Sequence, residues 1–180
     1  MDTLRRRGPD DGVAVMYCNY KEKDTQTVEN LMASLWRQLV HRRPISTKAK
    51  DVYKKHEERR TRPSIGEVME VLRSEIGSYS KSKVFIVVDA LDECPEQVHQ
   101  GLLAQLGALL PSAQLMITSR LHIAPEFSSV ELEVRASDED LRRYIDARMV
   151  RDRRLAKHLE GREELQKDIR SHVVDHAKGM

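Results

Sequence analysis

The chain has 180 residues, of which 31 are basic and 29 acidic, so its formal net charge is only +2. This length allows one domain with a sizeable core, and the balanced charge indicates neither a nucleic-acid partner nor a membrane partner. No apolar run approaches the ~20 residues that a membrane-spanning helix needs.

The first third of the chain predicts a polar lead, one strand and two helices. Residues 1–11 are polar, and we interpret them as a disordered lead. Residues 13–20 form an apolar run typical of a buried strand. A helix should follow, with Asp24 or Thr25 as its N-terminal cap. The highly charged residues 46–60 then predict a second helix that is mostly exposed to solvent.

The middle of the chain predicts a helix, a buried strand and another helix. Ser64 and Glu67 have the spacing of a capping box for an amphipathic helix over 64–78. Residues 83–89 form a short, β-branched apolar run, as buried strands of parallel sheets do. A further helix is predicted between Pro95 and Pro111, because proline suits a first helical turn and prevents continuation at the end.

The last third predicts two strands and two helices. Residues 115–118 indicate a short buried strand, and the alternation of apolar residues with glutamates at 129–134 predicts a half-exposed strand. Ser137 should cap a helix, and a strongly charged last helix is expected at about 154–177. Strands that alternate with helices favour an α/β fold with a parallel sheet.

Three carboxylates follow the strand at 83–89. Ligands of open α/β sheets bind at the carboxyl ends of the strands, so Asp89 could hold magnesium through water while Asp92 or Glu93 orients or deprotonates an attacking water. The alternative is an ordinary strand exit, whose acids serve the next turn and the helix dipole. The apolar run that leads directly into Asp-x-x-Asp-Glu favours the functional interpretation.

Two further observations concern phosphate binding, an arginine after the next strand and the absence of a P-loop. The guanidinium of Arg120, directly after Ser119, could pair with a terminal phosphate. A P-loop would need Gly-x-x-x-x-Gly-Lys-Ser/Thr to wrap phosphates with backbone N–H groups. None of the eight glycines is followed by Lys-Ser or Lys-Thr, so the sequence has no Walker A motif.

The cysteines, histidines and arginines indicate no further site. Cys18 and Cys94 lack metal-ligand spacing, and we expect two reduced thiols in a cytoplasmic protein. The seven histidines form no catalytic or zinc pattern. The arginine-rich run at 142–154 also contains aspartates, which favours a solvated helix face over a nucleic-acid surface.

With these motifs the chain resembles the NACHT domain of STAND-type P-loop NTPases, in the NOD-like class, and above all the nephrocystin-like N-terminal module of fungal multidomain proteins. The resemblance covers residues 12–180. It rests on three segments, which are Tyr-Cys-Asn-Tyr-Lys-Glu-Lys-Asp-Thr-Gln-Thr at 17–27, Val-Phe-Ile-Val-Val-Asp-Ala-Leu-Asp-Glu at 84–93 and Met-Ile-Thr-Ser-Arg at 116–120. The second is a Walker B form with Ala90 and Leu91 between its aspartates, unlike AAA+ relatives.

The resemblance implies a parallel P-loop NTPase-type sheet with flanking helices that is incomplete, because the first strand and the P-loop are missing. It implies a partial core at 12–136 and a truncated helical continuation at 137–180. The complete module would bind magnesium with ATP or GTP. The implied roles are magnesium binding for Asp89, hydrolysis for Asp92 and Glu93, and γ-phosphate sensing for Arg120.

Two functions follow as hypotheses. In the first, the chain is a partial nucleotide-binding signalling module, derived from an NTPase, that performs little or no hydrolysis alone. In the second, it is an interaction or regulatory fragment that docks on related NTPases without nucleotide chemistry. Its partners would then be proteins, either further copies or related NACHT proteins. Three strands should still pair as a block, while the segment at 129–134 lacks a neighbour, and an unpaired sheet edge invites association.

Overall fold

The computed structural model describes residues 10–41, 43–79, 83–120, 123 and 125–177. Over these residues the chain has a three-stranded sheet and seven α-helices. It divides into two compact units, Met1–Ser129 and Val130–Met180. Most of the predicted disordered lead, residues 1–11, lies outside the described residues.

The sheet belongs to the first unit and is parallel throughout. Strands β1 (Gly12–Tyr17), β2 (Val84–Asp89) and β3 (Gln114–Ile117) lie side by side in this order. The prediction that these three runs pair as a block is therefore confirmed. Because parallel strands end at the same edge, the segments that follow Tyr17, Asp89 and Ile117 meet at one edge of the sheet.

Strand β1 is shorter than predicted. The predicted strand continued to Tyr20, but β1 ends at Tyr17. The reason is the Asn19 side chain, whose Oδ1 accepts a hydrogen bond of 3.0 Å from the Lys21 backbone N–H and starts a short 3-10 helix at Tyr20–Glu22. Asparagine side chains commonly bond to the backbone two residues on in this way. Cys18 consequently lies beyond the strand.

Four helices complete the first unit, and they are α1 (Val28–Leu39), α2 (Thr47–Arg59), α3 (Ile65–Gly77) and α4 (Glu96–Gly107). The predicted caps of α1, Asp24 and Thr25, are wrong, because Thr27 accepts the hydrogen bond from the Asn30 N–H. The predicted capping box of α3 is confirmed, with both reciprocal bonds between Ser64 and Glu67. Helix α2 is largely exposed, as expected.

One face of β2 forms the centre of the core in the first unit. Val84, Ile86 and Val88 are buried there, together with side chains from α1, α3 and α4. Phe85 on the opposite face is only half-buried. The prediction that the strand at 115–118 is buried is wrong, since Met116 is 60% exposed. Among the described residues, strand β3 has a neighbour on one side only, and its position at the edge of the sheet explains this exposure.

The second unit is helical over its described residues. Its helices are α5 (Asp138–Arg151), α6 (Arg153–Leu159) and α7 (Glu163–Ala177), which share a small core. Ser137 caps α5 as predicted, accepting a hydrogen bond from the Asp140 N–H. The predicted single helix at 154–177 is wrong. The helix is interrupted around Gly161, whose φ of 71° lies in the left-handed region that favours glycine.

The predicted strand at 129–134 is also wrong. This segment has no regular secondary structure, and Val130, Leu132 and Val134 are 99%, 84% and 82% exposed. The alternation of apolar and charged residues predicts only that the two faces of a strand would differ. A strand also needs a neighbour to which its backbone can hydrogen-bond. No such neighbour lies beside this segment among the described residues.

Candidate functional site

Asp89 and Thr118 stand side by side at the carboxyl edge of the sheet. Asp89 is the last residue of β2, and Thr118 directly follows β3. The Thr118 hydroxyl donates a 2.5 Å hydrogen bond to Asp89 Oδ1 and accepts one of 2.9 Å from the Ala90 N–H. The Thr118 backbone N–H also donates to Val88 O, and the Thr118 carbonyl accepts from the Leu91 N–H. The aspartate is therefore fixed by the neighbouring strand.

A tight turn carries the other two acids. Ala90 adopts the left-handed conformation, with φ at 55°, and a short 3-10 helix follows at Leu91–Glu93. Leu91 is almost fully buried and anchors this turn in the core. Since a left-handed alanine costs roughly 1–2 kcal/mol, the bond from Ala90 to Thr118 and the burial of Leu91 must hold the turn in place.

Asp92 and Glu93 face different neighbours. The Asp92 carboxylate is only 11% exposed and lies 2.9 Å from Nε of Arg120, whose side chain is 78% exposed. Glu93 Oε2 instead accepts a 3.3 Å hydrogen bond from the Tyr20 N–H, in the segment that follows β1. The structure thus brings Asp92 and Arg120 together and turns Glu93 toward the other side of the turn.

These contacts place the sequence-predicted residues as follows. Asp89, Asp92, Glu93 and Arg120 all lie at the carboxyl edge of the sheet, as their positions after β2 and β3 required. Thr118 was not predicted as a site residue, although a hydroxyl after an apolar strand was visible in the sequence. Only the register, with Val88 opposite Ile117, shows that Thr118 comes next to Asp89.

The donors at this edge match a magnesium ion only in part. Among the described residues, no group of three or more His, Cys, Asp or Glu side chains could hold a metal ion. Magnesium, however, usually takes one or two carboxylates and completes its shell with water and substrate phosphates. Asp89, with one oxygen bonded to Thr118, can supply that share. It cannot form a cage for the ion without phosphates.

Gln26 lies between the segments of Cys18 and Cys94, next to the acidic turn at residues 90–93. Cys94 follows Glu93, and its Sγ donates to Oε1 of the buried Gln26 at 3.7 Å. Gln26 also bonds the backbone at Asn19 and Tyr17, so it joins the segment after β1 to the acidic turn. Nothing in the spacing of Cys18 and Cys94 indicated that they would meet.

The two thiols affect each other's proton affinity. Interaction with the Cys94 side chain raises the pKa of Cys18, and burial raises it further. The same interaction lowers the pKa of Cys94, while burial opposes this effect. Both side chains are 5% exposed and both are free thiols.

A cavity of about 1020 Å³ opens beside the acidic turn. Asp92, Cys94 and Glu96 line it near the turn, and His99 and Gln100 line it from α4. Nδ1 of His99 is buried without a hydrogen-bond partner among the described residues. The cavity thus gives solvent a path to Asp92 and to Cys94.

The second unit contains no comparable cluster among its described residues. His172 and His176 stack with their ring centroids 4.1 Å apart on the exposed side of α7. None of the helices described here is both long and apolar enough to cross a membrane.

Comparison with known proteins assigns the family. The family model described as Nephrocystin 3, N-terminal, matches residues 1–120. This match covers two thirds of the 180 residues, includes all three strands and ends at Arg120. No curated protein matches the chain. The chain therefore belongs to the nephrocystin 3 N-terminal family.

Proposed function

We propose that the chain is a partial NACHT-type nucleotide-binding signalling module with the fold of a P-loop NTPase, in which only the magnesium and water side of the site is present. The observation that carries the proposal is the bonded arrangement of Asp89, Thr118, Asp92 and Arg120 at the carboxyl edge of a parallel sheet. Nucleotides bind to open α/β folds at this edge.

Each residue has a role that its contacts support. The Thr118 hydroxyl orients Asp89, so that this carboxylate supplies the protein ligand of a nucleotide-bound magnesium ion. When bound, the ion neutralises charge on the phosphates. Asp92 lies on the cavity and is the better placed of the two acids to orient a water molecule. Glu93, bonded to Tyr20, holds the turn to the segment after β1.

Arg120 needs a change of partner to act as a phosphate sensor. Its guanidinium is paired with Asp92, but the side chain is 78% exposed. A terminal phosphate can therefore reach this guanidinium from solvent and compete with Asp92 for it. Exchange between Asp92 and a phosphate would then report that nucleotide is present.

The absence of a Walker A motif sets the expected activity. Backbone N–H groups and the lysine of a P-loop supply most of the phosphate contacts in such sites. Without them we expect weak binding of magnesium–ATP or magnesium–GTP, with a Kd of about a millimolar or weaker, equal to roughly −4 kcal/mol. We expect little or no hydrolysis.

The first prediction concerns Asp89. The Asp89→Asn variant keeps an oxygen for the Thr118 bond but loses the charge that attracts magnesium. In NMR titrations of the full chain with each nucleotide, we expect magnesium-dependent shifts near β2 and β3 in the wild type. The variant should lose them. The matched control is Asp51→Asn, at an exposed position of α2, which should behave as the wild type.

Two outcomes would contradict the proposal. Binding that is equal with and without magnesium, or unchanged in Asp89→Asn, would remove the metal role of Asp89. Micromolar binding by calorimetry, or sustained hydrolysis, would show that the chain has a phosphate site that the sequence motifs do not reveal.

The alternative function is that of an interaction fragment, and one observation favours it. Three apolar side chains, Val130, Leu132 and Val134, are at least 82% exposed in one segment of the second unit. Exposed apolar side chains that lie close together are typical of a surface that a protein partner covers. The partner would be a second copy of the chain or a related NTPase.

The second prediction tests this segment. If it docks on such a partner, a tagged chain should capture an untagged copy or an intact relative, and Leu132→Asp should abolish the capture. Val150→Asp is the matched control, because Val150 is 79% exposed in the same unit but lies on α5. A monodisperse monomer that captures neither protein would exclude this function.

A further inference from the structure

The structure assigns a redox modification site to this protein: we propose that Cys18 and Cys94 are a dithiol that hydrogen peroxide oxidises to an intramolecular disulfide. The two residues are the only cysteines of the chain. They follow neighbouring strands, Cys18 directly after β1 and Cys94 after the turn that leaves β2. This inference does not depend on nucleotide binding.

The contacts around the pair show that the two cysteine segments are held next to each other in the folded chain. Gln26 joins them, because its Oε1 accepts a hydrogen bond from Cys94 Sγ at 3.7 Å and one from the Asn19 N–H, next to Cys18, at 3.1 Å. The Cys18 N–H also donates to Asp89 O at 3.0 Å, which ties Cys18 to the end of the strand that leads to Cys94. A disulfide requires two cysteines at close range with their backbones near each other. Folding therefore brings the two cysteines near each other, although they are far apart in the sequence.

The cavity beside α4 makes one of the two thiols accessible. Cys94 lines this space of about 1020 Å³, while Cys18 is not among its lining residues. A small, uncharged oxidant such as hydrogen peroxide can enter such a cavity and reach Cys94, although the residue is only 5% exposed. Cys94 is therefore the attacked thiol, and Cys18 is the resolving thiol behind it.

The chemistry balances with peroxide as the only co-reactant. The Cys94 sulfur attacks one peroxide oxygen, the O–O bond breaks, and the departing hydroxide takes the thiol proton as water, which leaves a sulfenic acid. The Cys18 sulfur then attacks the Cys94 sulfur, the S–O bond breaks, and the second water carries away the Cys18 proton. Two thiols are oxidised by two electrons, and one peroxide is reduced to two waters.

The test uses the full folded chain and peroxide. After a timed exposure the reaction is quenched, the chain is unfolded and free thiols are alkylated, and intact mass and peptide mapping follow. We expect both alkylatable thiols to disappear together and one linked peptide pair, Cys18 with Cys94, to form. The reaction should be faster in the folded chain than in denaturant, where the two sulfurs are apart.

Two variants identify the roles of the sulfurs. Cys18→Ser should stop at a sulfenic acid on Cys94 that dimedone traps, and Cys94→Ser should leave Cys18 unmodified. The proposal is overturned if the folded wild type keeps both thiols, forms only disulfides between chains, or if Cys94→Ser is oxidised as fast as the wild type. Should a variant fail to fold, the peptide map and the folded-versus-denatured rates of the wild type still decide.

Discussion

The Met32→Ala variant is expected to lose about 2–5 kcal/mol of unfolding free energy, the usual range for a large buried side chain reduced to alanine. Met32 lies on α1 and is 0% exposed, within the core that also contains Ile86 and Val88 of β2. Truncation removes its dispersion contacts and leaves a cavity that the helix and sheet cannot fully close. Denaturant unfolding followed by the fluorescence of Trp36, the only tryptophan, measures this loss.

The matched control is Met116→Ala, which removes the same atoms from a side chain that is 60% exposed on β3. Exposed substitutions usually change the unfolding free energy by roughly 0.5 kcal/mol or less. Equal losses in the two variants would contradict the packing of α1 against the sheet, because that packing is the reason for the difference.

The Gln38→Met variant is expected to lose about 1–3 kcal/mol, because it leaves buried backbone groups of β1 without partners. Within the part of the chain that the structure describes, β1 is an edge strand, and Gln38 of α1 bonds its open side. The side chain accepts a hydrogen bond from the Val15 N–H at 2.9 Å and donates one to Val15 O at 2.7 Å. Methionine has a similar length but replaces neither bond.

Gln97→Met, at an exposed position of α4, is the matched control and should leave the unfolding free energy unchanged. Gel filtration adds a second measurement. Unpaired edge strands template association, so the Gln38→Met variant should form larger species at concentrations where the control stays unchanged. Wild-type stability together with wild-type elution would show that Gln38 does not protect this edge.

Much of the first unit could be predicted because its elements follow simple patterns. The apolar run that ends in Asp89 predicted β2, and the Ser64–Glu67 spacing predicted the start of α3. In both cases the signal lies within a few neighbouring residues. The failed strand at 129–134 shows the limit of such signals, since a pattern along the chain does not contain the neighbour that a strand needs.

The parts of the site that could not be predicted depend on register. The pairing of Tyr17 with Asp89 and of Val88 with Ile117 brings Cys18 near Cys94 and Thr118 next to Asp89. These pairings follow from how the whole sheet packs. The positions of single acids at a strand end could be inferred from sequence, but the neutral residues that hold them could not.

The register of the sheet also governs how this chain can fold. Val13 pairs with Phe85, and every bond between β1 and β2 joins residues separated by a comparable length of chain. Closing a loop of this length lowers the entropy of the chain before the new contacts add any favourable free energy. Contacts between distant residues therefore slow folding. The helices of the second unit meet near neighbours in sequence and have no such loop to close. We therefore expect the acidic turn and its two cysteines to come together only when the sheet forms.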